Sequence, residues 1–286
     1  MNRSRETAPR HALESELTPE VPSEQVRAAM AHFYKSSEGY AHQQGSHTMA
    51  YFERLLGVID AVLAQPGLHV LEVGAGSAAT MHTFLARHPG SRATVMELSP
   101  ASLEAAKQGG SSTLNVVAGN ALQLPFRDRS LDAVVAFEVI EHLPDVALAL
   151  GEMLRVVRRP GYIIIGLPNH ASLWTPLEDR LRRRDRRAFG IVRGHGAWRW
   201  LKRNAGLAWR KRLSHDAQFL YREPILHAAA GGDADAVYYA APIDLLRFFR
   251  RRGAAFLTSS ARLRLGWAGQ FLPVELQGST VMAWRV

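Results

Sequence analysis

The sequence has no cysteine. No disulfide framework can staple it and no thiolate can ligate zinc, so its 286 residues must rely on an ordinary buried core, for which the length suffices. A reducing compartment suits such a chain. Long apolar runs are missing too: no stretch approaches the roughly 18 residues of a membrane-spanning helix. Residues 1–24 have no apolar centre of a secretory leader, and their Pro, Ser and Glu read as a disordered lead-in. These absences point to a cytoplasmic globular protein.

Acidic residues are scarce in one place only. Residues 179–212 hold 13 of the 35 Lys and Arg against two acids, Asp179 and Asp185, while the rest of the chain is nearly balanced. The net charge of +9 therefore belongs to one segment. Such a run is either a solvated helix face or a contact surface for something anionic.

What is abundant is alternation. Apolar residues at three- and four-residue spacing, from Phe33 and Tyr34 to Leu55, Leu56 and Ile59, predict two helices within 25–64, stopped at Gln65-Pro66-Gly67. Short apolar runs at 68–73, 92–98, 114–117, 131–137 and 162–167 predict five strands, with helices between them at 77–88, after Ser99-Pro100, and at 143–157. Alternation lapses from Asn169 to Ala240, then returns with a helix at 243–252, a candidate strand near 255–265 and a last strand at 279–286. The expected fold is α/β: a Rossmann-like, doubly wound, mostly parallel sheet of about seven strands with helices on both faces, plus a mainly helical insertion after the fifth strand. The expected organisation is a lead-in (1–24), covering helices (25–66), a cofactor-binding core (67–168), a basic, Trp-rich insertion over the active face (169–240) and a C-terminal part completing the sheet (241–286).

Four strand ends carry the chemistry. After the first strand, Gly74-Ala75-Gly76 allows a tight turn and close approach of a ligand to a helix N-terminus. Dinucleotide sites share that pattern, but Glu72 lies two residues before Gly74, where it would repel a pyrophosphate. It would attract a ligand bearing cations and no phosphate, as S-adenosylmethionine is. Glu97 ends the second strand 21 residues after Gly76, followed by Leu98, and can accept both ribose hydroxyls of a nucleoside. After the third strand, Asn120 can hydrogen-bond an adenine edge that Ala121 and Leu122 sandwich. After the fourth comes FEVIEHLPD, 137–145, at the carboxyl edge of the sheet, where open α/β folds bind ligands.

The order VLEVGAG, MELS, GNALQLPF, FEVIEHLPD, VVRRPGYIIIGLPN resembles the class I S-adenosylmethionine-dependent methyltransferases over about 68–168, within the broad group with a methyltransferase type 11 domain that includes quinone O-methyltransferases. The resemblance implies that Glu72, Gly74 and Gly76, with Ala75, hold the methionine end, Glu97 and Leu98 the ribose, and Asn120, Ala121 and Leu122 the adenine. Glu138 would lie near the methionine moiety or the acceptor, and Tyr34 would cover the site from the N-terminal helices. Asn120 departs from the family's usual Asp. By the same resemblance the chain is an enzyme moving a methyl group to a small, hydrophobic or lipid-like acceptor, with O-methylation favoured.

Methyl transfer needs alignment and dryness first, and a base only where the acceptor must lose a proton. His142 and His170 are the candidate bases, with His47 and Tyr34 behind them. Glu138, Glu141 and His142 share the i, i+3, i+4 spacing of a divalent-metal face, yet no bound metal is expected, and EDTA should leave activity intact. Within the insertion, 195–213 read as a helix puts Trp198, Leu201, Ala205, Ala208, Trp209 and Leu213 along one stripe, flanked by Arg199, Lys202, Arg203, Arg210 and Lys211. That pattern suits peripheral contact with an anionic membrane through 179–212. RNA is the alternative partner for such a segment, and a non-catalytic cofactor-binding domain the alternative of another class.

Overall fold

The computed structural model describes residues 16–36, 49–108, 111–173, 195–227, 233–270, 272–273 and 276–286, and of 195–200, 267 and 270 the backbone alone. His47, Tyr40, Trp174, the arginines between 180 and 193, and the side chains of Trp198, Arg199 and Trp200 lie outside what is described.

A seven-stranded sheet organises the chain: β1 (His69–Val73), β2 (Arg92–Glu97), β3 (Leu114–Ala118), β4 (Leu131–Phe137), β5 (Val157–Leu167), β6 (Ala255–Ser259) and β7 (Thr280–Arg285), in the spatial order β3-β2-β1-β4-β5-β7-β6. Every neighbouring pair is parallel except those of β7, which runs antiparallel to β5 and β6. Between and around the strands run α1 (Glu24–Lys35), α2 (Met49–Val62), α3 (Ala79–Arg87), α4 (Pro100–Lys107), α5 (Val146–Val156), α6 (His195–Leu213), α7 (Pro242–Arg251) and α8 (Ser260–Leu265).

The central strands are mostly apolar because both faces are covered. Along β5, Ile163 and Ile165 face the layer that holds Met30 and Phe33 of α1, Leu150 of α5 and Phe248 of α7. Ile164 between them faces the other layer, with Leu55 and Ile59 of α2 and Phe84 of α3. β1 and β4 split in the same way, Leu71 and Val134 to one side, Val70 and Val135 to the other.

Caps account for most shifts from the expected boundaries. Ser99 accepts the Ser102 N–H and Pro100 opens α4, as its sequence predicts. Asp145 accepts the Leu148 N–H at 2.9 Å, so α5 begins at Val146 rather than at residue 143, and Ile140–His142 form a separate 3₁₀ turn before it. The expected strand at 255–265 ends at Ser259, whose hydroxyl accepts the Arg262 N–H and starts α8 instead.

The insertion departs from the sequence reading in its contacts. The inward face of α6 is Asn204, Leu207 and Lys211, while Trp209 is 66% and Leu213 64% exposed and Ala205 is exposed as well. The apolar stripe therefore faces outward where it is described, because polar groups on the protein compete for the inner face. Asn204 Nδ2 donates to the carbonyls of His170 (2.8 Å) and Ser172 (3.2 Å), and its Oδ1 accepts the Tyr239 hydroxyl at 2.8 Å. Lys211, expected as a flanking solvated charge, is fully buried and pairs with Asp244 of α7 and the Gln218 carbonyl.

Candidate active site

The carboxyl ends of β1 to β4 open onto a cavity of about 580 Å³, within the roughly 300–1,000 Å³ of small-molecule sites. The strand order sets its layout. The loops after β1, β2 and β3 occupy one half, and the loop after β4 lies on the far side of β1. α1 and the segment after residue 233 close it from outside.

The glycine turn is demanded by sterics. Gly74 has φ +68° and Gly76 φ +53°. A Cβ on Gly74 would also stand 2.2 Å from Val139 Cγ2, so position 74 needs glycine for conformation and for space. The turn is tied to β2 by the Gly74 N–H on the Met96 carbonyl (2.8 Å) and the Gly76 N–H on Glu97 Oε1 (2.7 Å). Glu97 Oε2 accepts its neighbour Leu98 N–H at 3.0 Å. Burial raises the Glu97 carboxyl, against the backbone N–H donors of Gly76, Leu98 and Ser99. A carboxylate has about four acceptor sites, so these three donors leave room for a ribose hydroxyl.

Glu72 sits at the end of β1, 2% exposed. Burial raises its pKa to about 8, with Thr80 and the Met81 amide working against that rise and Glu97 adding to it. Its Oε2 is buried and has no hydrogen-bond partner. A buried acid with an unfilled oxygen beside a glycine turn is disposed to receive a cationic group. Asn120 Oδ1 accepts the Leu122 N–H at 3.0 Å, which shapes the β3 loop, and Asn120 lines the cavity. Ala121 and Leu122 line the same half. The donor set thus fits the cofactor's chemistry: an acid for cations, an acid for hydroxyls, an amide and apolar walls for a base.

The β4 half differs. Glu138 holds φ +54°, a strained conformation for a non-glycine residue, and donates its N–H to the Gly166 carbonyl at 2.9 Å. Burial and then the charge of Glu141 push its carboxyl well above the usual range. Glu141 is fully buried, neither oxygen has a hydrogen-bond partner, Oε1 lies 3.9 Å from His142 Nε2, and burial raises its carboxyl to about 8. His142 meets Tyr34, which the sequence reading placed at the site, and Asp235, which it did not single out. Its Nδ1 is 3.2 Å from Asp235 Oδ2 and 3.1 Å from the Tyr34 hydroxyl, which itself donates to Asp235 Oδ2 at 2.8 Å. Burial would lower the His142 pKa, but Asp235, by charge and hydrogen bond, and then Glu141 and Asp233 carry it to about 10. Asp235 thus favours the protonated form of His142, so that as a candidate base the ring would first have to give up that proton.

His170 is corrected. It is 4% exposed, its Nδ1 accepts the Ala240 N–H at 3.2 Å, and its Nε2 lies 3.4 Å from Asp233 Oδ2. It is not among the residues lining the cavity. Burial lowers its pKa, so it is a neutral ring that positions Asp233 and the 238–241 segment. Tyr34 stands at the β4 half beside Asp235. Among the described residues no three His, Asp or Glu side chains converge as a metal cage, Glu138, Glu141 and His142 included. Asp235 carried no legible signal: GGDADA reads as a loop, and only the fold brings Asp235 against a residue 93 positions earlier.

Residues 71–165 match the family model described as a methyltransferase domain. Demethylmenaquinone methyltransferase from Thermobifida fusca is 37% identical over 111 residues, 37% of this chain and 46% of that protein. The 24-methylenesterol C-methyltransferase 2 from Oryza sativa subsp. japonica is 32% identical over 138 residues, 46% of this chain and 36% of that protein. The chain thus spans under half the length of either relative. A solved structure of the 1,6-didemethyltoxoflavin-N1-methyltransferase from Burkholderia thailandensis shares the fold at a TM-score of 0.56 and 16% identity, over 95% of this chain and 93% of that one. The glycine turn, the two acids at the ends of β1 and β2 and the matched core together make residues 71–165 of this chain a class I S-adenosylmethionine-dependent methyltransferase domain.

Proposed function

We propose that the chain transfers the methyl group of S-adenosylmethionine to a small, lipid-like acceptor seated at the β4 end of the cavity. The observation that carries this reading is the buried Glu72 carboxyl, with one oxygen unfilled, beside a turn whose glycines leave the backbone bare. When bound, the cofactor supplies a methyl group already activated on a sulfonium. The residues present would hold it as follows: Glu72 faces its cationic end, Glu97 its ribose, Asn120, Ala121 and Leu122 its base. The remainder of the protein's task is alignment and exclusion of water, which supplies roughly 7–11 kcal/mol in well-oriented reactions.

The acceptor's class follows from the cavity and from the relatives' names. Met30, Phe52, Phe137 and Leu143 give the far half apolar walls. The names of the relatives carry a quinone and a sterol, both lipid-like. A hydroxyl acceptor would yield a methyl ether, S-adenosylhomocysteine and one proton. Calorimetry with S-adenosylhomocysteine and with NAD tests the cofactor: tight NAD binding with no response to the sulfur nucleoside overturns the reading. Transfer of labelled methyl to a panel of hydroquinones and sterols then tests the acceptor class.

Peripheral contact with an anionic membrane belongs to the same proposal. α6 contains no acidic residue, and it presents Trp209 and Leu213 outward with Lys202, Arg210 and Arg212 exposed around them. Large rings beside basic residues suit the interfacial zone of a bilayer. Among the described residues no helix is long and apolar enough to cross a membrane. Sedimentation with phosphatidylserine vesicles at low salt, released by raised salt, is the expected result. Replacing Lys202, Arg210 and Arg212 with Gln should weaken it by about 1 kcal/mol per charge. Absent vesicle binding with tight, salt-sensitive RNA binding in its place would overturn this part.

A further inference from the structure

The connection from β3 to β4, residues 119–130, contains no helix. It leaves the carboxyl end of β3 at one edge of the sheet and returns to the amino end of β4, three places along the strand order. Irregular backbone on such a path must find partners elsewhere for its N–H and C=O groups. Its first part closes on itself, with the Gln123 N–H on the Asn120 carbonyl at 3.0 Å. From Leu124 onward the partners come from α5. Glu152 Oε2 accepts the Leu124 N–H at 2.8 Å. Arg155 Nη2 donates to the Leu124 carbonyl at 3.0 Å and Nη1 to the Phe126 carbonyl at 2.8 Å. The other Arg155 donors go to carboxylates: Nε and Nη2 to Glu152 and Nη1 to Asp128, each at 2.7 Å. A guanidinium has five N–H groups in a rigid fork, and all are engaged here.

We propose that Glu152 and Arg155 are positioning residues for the base of the cofactor: by fixing Leu124 and Phe126 from α5, they set the place of the Asn120–Leu122 wall and hence the affinity for an adenine nucleoside. This rests on the cofactor reading above. Neither side chain is among those lining the cavity, so both act through the loop. Gly119, Asn120, Ala121 and Leu122 do line it, and Leu122 is two residues from the clamped Leu124. Leu124 is 3% exposed and Phe126 packs against the same core, so the clamp holds a loop that is also anchored by burial. The Arg155 side chain itself is 32% exposed. A half-exposed ion pair adds little to stability, so the geometry of this one matters more for where the loop sits than for whether the chain folds.

The rest of the cofactor site does not depend on this clamp. The glycine turn is tied to β2 by the Gly74 N–H on the Met96 carbonyl and the Gly76 N–H on Glu97, and Glu97 holds its neighbour Leu98. Those bonds stay within the loops after β1 and β2 and involve no residue of α5. Loosening the clamp should therefore be felt at the base and not at the ribose or the amino acid. Lysine cannot replace Arg155, because an ammonium has three donors and no fork to span two carbonyls and two carboxylates.

The test compares two ligands on the full chain by calorimetry. S-adenosylhomocysteine carries the base; S-ribosylhomocysteine keeps the ribose and the amino acid but has none. Arg155→Ala should weaken S-adenosylhomocysteine by about tenfold, the equivalent of one lost hydrogen bond, and leave S-ribosylhomocysteine within about twofold of the wild type. Arg155→Lys keeps the charge and the stem, so it keeps the test decisive if Arg155→Ala fails to fold; it should lose about threefold for the first ligand and nothing for the second. Wild-type affinity for S-adenosylhomocysteine in either folded variant overturns the inference. So does an equal loss for both ligands, which is what general loosening of the domain would produce. Failure of the wild-type protein to bind S-adenosylhomocysteine strikes the parent reading instead.

Discussion

The sheet and the segment that covers it are held by different physics. In the sheet, Val70, Leu71, Val134, Val135 and Ile163–Ile165 are wholly buried, divided between the apolar layers on its two faces. The burial is non-directional and spread over many residues. In the cover, Val237, Tyr238, Ala240 and Leu245 join the core and Leu207, Tyr239 and Ala241 form a smaller apolar cluster, and directional pairs are added to that packing: Asn204 on two carbonyls, Tyr239 on Asn204, Lys211 on Asp244, and the Tyr238 hydroxyl on Asp244 at 3.0 Å. Burial lowers Lys211 and raises Asp244, so both charges depend on each other. The contrast teaches where specificity resides. The sheet supplies a rigid rim of strand ends, and the cover brings Asp235 to that rim through contacts that fail singly rather than gradually.

The largest expected effect tests the cover. Lys211→Met leaves Asp244 as an uncompensated buried charge and should destabilise the protein by about 3–5 kcal/mol, measured by urea unfolding. Ile164→Val in the sheet should lose only about 0.5–1.5 kcal/mol. If the two losses are alike, the comparison between regions is broken.

Next comes the rim. Glu97→Ala removes an acceptor of ribose and of the Gly76 N–H. S-adenosylhomocysteine affinity should fall by about 1.5–3 kcal/mol in calorimetry. Lys202→Gln, on the exposed side of the cover, should leave that affinity unchanged.

A pH experiment sharpens the role of Glu72. With a pKa raised to about 8, this carboxyl is mostly neutral at pH 7 in the unliganded protein. A cationic ligand favours the ionised form, so binding of S-adenosylmethionine should release a proton. Affinity should strengthen as pH rises toward 8, by at most about 1.4 kcal/mol per unit, and level off above it. Glu72→Gln should flatten the profile. The stability of the unliganded protein has the opposite sign. A raised carboxyl contributes fully below its ordinary value of 4.5, and that contribution is lost as pH climbs through about 8. Thermal melts across that range should show a decline that Glu72→Gln reduces.

The smallest effect is at Trp209. At 66% exposure it adds little to the fold, and Trp209→Ala should move stability by no more than about 0.5 kcal/mol while weakening vesicle binding. A large stability loss would mean that this face is packed, contrary to the division drawn here.

The sequence by itself determined the sheet and the cofactor half of the cavity. Period-two and unbroken apolar runs mark strands buried on both faces, and Glu72, the glycine turn, Glu97 and Asn120 each follow a strand in order, so local spacing places them at one edge. Tertiary structure decided the rest. It turned the outward stripe of α6 away from the core, because Asn204 and Lys211 found polar partners 33 or 34 residues away in sequence. It withdrew His170 from the site by occupying both its ring nitrogens. It also set Asp235 against His142 and Tyr34, across 93 and 201 residues. Burial in a parallel sheet is a property of neighbouring residues and shows in their pattern. A hydrogen bond between distant side chains leaves no periodic trace, so only the folded chain reveals which polar residues are structural and which face the substrate.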